Sequence, residues 1–187
     1  MFHVERTRIL CHTSASDVAS INRLSPILAI AVGVLHAGLA PVLAAADVRP
    51  NIALVAVVLV TCWSGARTGA TWAFVAGLTV NVLSAHPVGS IPLSLLVAAA
   101  LAAAGRPLLA SLGWIPVVAA VVLGSVAADG TLLVIARAVG GPAGALPLNV
   151  VAVGAALNGA LALAAIVAVS LIRRERARPD RVRGFAA

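Results

Sequence analysis

The 187-residue chain contains no lysine and no tyrosine, 3% aromatic residues, 10% charged residues and two cysteines. Each shortage excludes something. Cys11 lies in a polar segment and Cys62 inside an apolar run, so they build neither a disulfide framework nor a cysteine-rich metal site. Cys62 reads as a small apolar filler. The formal net charge is +7, which raises the question of nucleic acid. A nucleic-acid face needs basic residues with stacking aromatics, and the aromatics are missing. All thirteen basic residues are arginines, at the ends of apolar runs, and six of them follow Leu171. That is the pattern of topology-setting charge beside anionic lipid. Of the six acidic residues only Asp129 lies within an apolar run, too few carboxylates for a hard metal ion.

What fills the space is apolar. The chain is 61% hydrophobic, with a mean hydropathy of +1.09. Soluble domains are about 45–50% apolar and about 25% charged. Surface-to-volume scaling forbids a soluble core that could hide so much apolar area. The composition therefore predicts an all-α integral membrane protein with one domain, a bundle of about six transmembrane helices.

Three regions follow. Residues 1–25 form a polar cytoplasmic segment, expected as a disordered stretch or short surface helix and not a cleaved signal, since the apolar run starts late and is too long. Residues 26–172 form the helical domain, and 173–187 a basic cytoplasmic tail. Apolar runs at about 26–46, 51–63, 71–83, 91–104, 108–138 and 148–172 are set against about 20 residues for a span. Pro26 suits a first helical turn, and Pro41 predicts a kink. Runs two and three are short. Arg67 in the turn between them can snorkel to the interface, and Trp63 and Trp72 sit where an interfacial aromatic belt falls. The pair reads either as two full spans or as a re-entrant hairpin.

Arginine placement orients the chain. With both termini in the cytoplasm, Arg6, Arg8, Arg23, Arg67, Arg106, Arg173, Arg174, Arg176, Arg178, Arg181 and Arg183 lie inside, and Arg49 and Arg137 outside. Eleven against two satisfies the positive-inside rule.

The polar residues within apolar runs are the candidate sites. His36 falls in mid-span, where an ionisable group is a functional candidate or a neutral imidazole bonded to a neighbouring helix. Asp129 has Arg137 or Arg49 as candidate partners, or is hydrated at interface depth. Asn81 is expected to bond across helices. Asn158 and Gly159, with Gly154 before them, form a small-residue stripe that reads as packing. Catalytic patterns are absent: there is no phosphate loop ending in Lys-Ser/Thr and no His-Glu-x-x-His. Ser90 lacks a nucleophile-elbow setting.

One stretch is individual. Arg49-Pro50-Asn51 opens an apolar helix, Gly65 to Gly69 form a basic glycine-flanked turn, and Phe74, Gly77-Leu78, Asn81, Ser84, Pro87 and Gly89 follow. This hairpin resembles the bacterial rod shape-determining protein MreD family. That family usually carries Asp at the position of Asn81, so no role needing a charge there is carried over.

The resemblance implies a helical arrangement similar to the substrate-binding subunits of vitamin transporters. It implies a non-catalytic subunit of the cell-elongation machinery in the bacterial inner membrane; the residues themselves give no cofactor or metal site to expect. Its partners would be the bitopic protein MreC, with MreB, RodA and a penicillin-binding transpeptidase acting alongside. Pro50, Asn51, Arg67, Gly77, Asn81 and Gly89 are the structural or partner-contact residues it points to, beside Asp129, Asn158 and Gly159 from the residues themselves. The competing reading is a vitamin-type uptake subunit, which should line a lumen with polar and aromatic groups. A membrane enzyme is the third.

Overall fold

A computed structural model of the chain describes residues 15–39, 42, 50–84, 87–140 and 148–176. Among them the regular structure is entirely helical. Seven α-helices follow one another: α1 (Ala15–Leu39), α2 (Ile52–Ser64), α3 (Ala66–Leu83), α4 (Ser90–Gly105), α5 (Leu109–Leu112), α6 (Ile115–Ala138) and α7 (Leu148–Arg176). A single 3₁₀ turn, Arg106–Leu108, joins α4 to α5. Three helical segments are long and apolar enough to cross a membrane: Ser90–Leu108, Ile115–Ala138 and Leu148–Ile172.

The short helix α2 is the centre. It packs against α1, α3, α4, α6 and α7. Ala53, Leu54, Val55, Val57, Val58, Leu59, Thr61 and Cys62 are all buried. At 1.5 Å per residue its thirteen residues cover about 20 Å, against a hydrocarbon thickness of about 30 Å. A helix enclosed by other helices need not match that thickness, because its backbone is shielded by protein. The outer helices instead expose Ile27, Leu28, Val34, Leu123, Val134, Leu157 and Val167.

Small residues set the interhelical distances. Packing between helices in lipid relies on close van der Waals contact, which small side chains permit. Ala98, Ala99 and Ala102 of α4 are buried, and α4 packs against α6 where Gly124 faces Ala98. A Cβ at Gly69 would stand 1.9 Å from Thr61 Oγ1, and one at Gly77 2.6 Å from Pro92 Cα. These two glycines let α2, α3 and α4 touch almost backbone to backbone.

The structure corrects several expectations. The first helix starts at Ala15 and ends at Leu39, so Pro26 lies inside it and not in its first turn. A proline at a polar-to-apolar boundary imitates a helix start, which is what misleads. Pro41 and residues 43–46 lie outside the described residues. Arg67 is not in a turn but is the second residue of α3, because Gly65 alone, at φ +102°, reverses the chain. The run 108–138 is broken: α5 stops at Gly113, φ +63°, and α6 restarts with Pro116 in its first turn. Trp63 is exposed as an interfacial residue should be, but Trp72 is buried, and its indole N–H donates to Ser25 Oγ. It joins α3 to α1 in place of the expected belt position.

Candidate functional site

The polar side chains gather at the two ends of the bundle. A one-residue hinge at Gly65 makes α2 and α3 a hairpin, so the start of α2 and the end of α3 share one end. At that end two nodes form, each closing a helix terminus.

The first node is built on Asn158 of α7, which is buried. Its Oδ1 accepts the backbone N–H of Asn51 at 2.7 Å, and its Nδ2 donates to Ser125 Oγ at 3.0 Å. Asn51 in turn caps α2, with Oδ1 accepting Leu54 N–H at 3.0 Å. The first N–H groups of a helix have no intrahelical acceptor, and an Asn cap supplies one. Ser125 Oγ completes the chain by donating to Val121 O at 2.8 Å. Helices α2, α6 and α7 are thereby tied at one level.

The second node is Asn81. Its Oδ1 accepts Gly89 N–H at 3.1 Å and Ile91 N–H at 3.3 Å. It serves as the cap of α4, whose own cap position is Gly89 in the left-handed region at φ +87°. The glycine there is required by backbone sterics and has no side chain to offer, so the acceptor comes from α3. An acceptor oxygen is all this role needs. Asn supplies one without charge, and the carboxylate of an Asp would supply another.

Asp129 lies one turn beyond Ser125 on α6 and is half-buried. It forms no ion pair with Arg137. Eight residues of helix separate them by about 12 Å along the axis. Arg49 lies outside the described residues. Gly159 packs α7 against α6, its Cβ direction 3.1 Å from Val122 Cγ2. Pro50 is half-buried just before the Asn51 cap. His36 Nδ1 is buried with no hydrogen-bond partner among the described residues, so no bond through that nitrogen holds a neighbouring helix.

At the other end, Arg106 Nε donates to Cys62 O at 3.1 Å, placing a cation on the last turn of α2, where the helix dipole favours one. Arg67 lines a cleft with Ser25, Pro26, Ser64, Thr68 and Thr71.

Sequence reasoning overlooked Ser125, Ser25 and the capping role of Arg106. Ser125 carried a signal, standing one turn from Asp129 in an apolar run. Ser25 carried none, because its value depends on where α1 packs. The bonds described for the two nodes run to backbone groups or a hydroxyl. The arrangement fixes helix ends, and among the described residues it sets no nucleophile beside a base. Among the described residues no three His, Cys, Asp or Glu side chains converge.

The class these features define is an all-helical protein with, among its described residues, three helices fit to cross a membrane and buried asparagines that close helix ends. Comparison with protein-family models, curated proteins and solved structures returns no match to the chain.

Proposed function

We propose that this protein is a non-catalytic membrane subunit of the rod-shape (cell-elongation) machinery that binds an MreC-type bitopic protein. In this reading it lies in the bacterial inner membrane with six spans and both termini in the cytoplasm. The observation that carries the reading is the hairpin from residue 49 to residue 89, whose residues resemble the MreD family. Its described residues have two assignments. Asn51, Gly65, Gly69, Gly77, Asn81 and Gly89 shape and cap the hairpin. Phe74, Leu78 and Val82, at i, i+4 and i+8 of α3, are exposed in one apolar stripe. A single membrane-spanning helix of a partner can lie along such a stripe.

Two experiments test the reading. Co-purification in detergent should recover the protein with its genome's MreC-type protein. Failure to associate, together with rod shape surviving deletion of this gene, would reject the assignment. A reporter active only in the periplasm, fused after Ala187, is expected to be silent, because eleven of thirteen arginines fall inside in this orientation. Activity of that fusion would overturn the orientation without touching the partner.

A further inference from the structure

The cleft at the Gly65 end measures about 410 Å³ and is lined by Ser25, Pro26, Ser64, Arg67, Thr68 and Thr71. Its volume falls within the range of about 300–1,000 Å³ typical of small-molecule sites. Apart from Pro26 the described lining is made of hydroxyls and one guanidinium, with no carboxylate among the described residues. Arg67 is exposed, and its guanidinium has no hydrogen-bond or ion-pair partner among the described residues. Ser25 Oγ accepts the Trp72 indole N–H, which leaves the Ser25 O–H to donate elsewhere. Thr71 Oγ1 donates to Arg67 O at 3.1 Å, tying these two lining residues together. One guanidinium and several hydroxyls around a cleft suit an anion with several acceptor oxygens, since charge-assisted bonds to phosphate are the strong ones.

The surroundings indicate where that anion comes from. Trp63, adjacent to the lining residue Ser64, is 48% exposed, as an aromatic at the membrane–water boundary is. Directly after Pro26, α1 exposes Ile27, Leu28 and Ile30. A polar cleft therefore opens beside an apolar helix surface, the two-part environment of a lipid. We propose that the cleft binds the phosphate of an anionic phospholipid headgroup, with Arg67 as its anchoring cation and the acyl chains along α1. Among the described residues no lining carboxylate is available to receive an ammonium group, so a phosphatidylglycerol fits better than a phosphatidylethanolamine. The proposal rests on membrane placement alone and is independent of the cell-shape reading.

Native mass spectrometry of the full chain in detergent tests it, with phosphatidylglycerol and phosphatidylethanolamine added in equal amounts. Phosphatidylglycerol adducts should predominate by about fivefold, the effect of one arginine at an anionic surface. Arg67→Gln should abolish the preference. Arg67→Lys should keep part of it, as a point charge without the planar fork. Arg137→Gln, at the other end, should keep all of it. Arg67 is exposed, so these variants should retain the wild-type helical content and elution volume. An undiminished preference in Arg67→Gln would overturn the site. Displacement of the lipid by millimolar inorganic phosphate would overturn the lipid assignment in favour of free phosphate.

Discussion

Gly77→Ala is expected to be among the most destabilising single substitutions in this protein. The new methyl group would sit 2.6 Å from Pro92 Cα, 2.9 Å from Pro92 N and 3.3 Å from the Ile91 carbonyl carbon. These are backbone atoms in the first turn of α4. No rotamer change relieves the clash, so one helix must move. That first turn is also held by Asn81, one turn further along the same helix α3. Separating α3 from α4 therefore stretches the cap bonds as well. Overpacking of a close-packed interior costs about 1–3 kcal/mol and occasionally more. Gly38→Ala provides the control. Its Cβ direction is open, and alanine is the better helix former by about 1 kcal/mol. Thermal unfolding of the purified variants in detergent should separate them clearly, with Gly77→Ala well below wild type and Gly38→Ala at or above it. Equal melting of the two variants would mean that α3 and α4 do not pack as described.

The features legible in the sequence were those written locally. The fourth and sixth apolar runs match α4 and α7 at their starts to within a residue, because uninterrupted apolar runs bounded by glycine, proline or arginine define a helix without tertiary help. The polar residues Asn81, Asp129 and Asn158 were also visible, as exceptions in apolar runs. Their partners were not. Asn158 meets the backbone of Asn51 across 107 positions of sequence, and no local pattern sets that register. The same reason hid Trp72, whose amphipathic ring suits an interface and a buried bond to Ser25 equally well. Gly113 was passed over because a glycine inside an apolar run is tolerated in a helix. Only its positive φ reveals the break.

The placement of polar groups narrows what the bundle can do. One end holds asparagines that close helices α2 and α4, and the other holds Arg67 and Arg106 around a one-residue hinge. Between them the core is mostly alanine, valine and leucine, including Ala73, Ala76, Val57 and Leu95. Such a core leaves the outer helix faces for lipid or another helix. In the scaffold reading, stiffness of the hairpin matters more than any reactive group. Weakening the ties at its ends should then loosen the docking stripe on α3 without touching a stripe residue.

Asn158→Ala tests that tie and should carry the second large effect. The change removes the acceptor of Asn51 N–H and the donor to Ser125 Oγ together, at a residue only 4% exposed. Interhelical hydrogen bonds in membrane proteins average about 0.6 kcal/mol, while a buried donor left unsatisfied costs about 1–3 kcal/mol. The loss should therefore be about 2 kcal/mol, shared between the half-buried Asn51 N–H and the buried Ser125 Oγ, both left without this partner. Ser125→Ala should cost less, because it leaves the bond between Asn158 and Asn51 in place. The double variant should lie close to Asn158→Ala alone, since the residues share one bond and their effects are not additive. Asn158→Asp separates charge from shape: it keeps an acceptor for Asn51 N–H but places a carboxylate where the amide donated, and burying an unpaired charge is strongly unfavourable. It should melt below Asn158→Ala. Amide exchange localises the event, because Leu54 N–H depends on the Asn51 cap and should exchange faster in Asn158→Ala while the α4 amide of Ile91, capped by Asn81, stays protected. Unchanged melting and unchanged Leu54 exchange in Asn158→Ala would show that α2 is anchored by apolar contact alone.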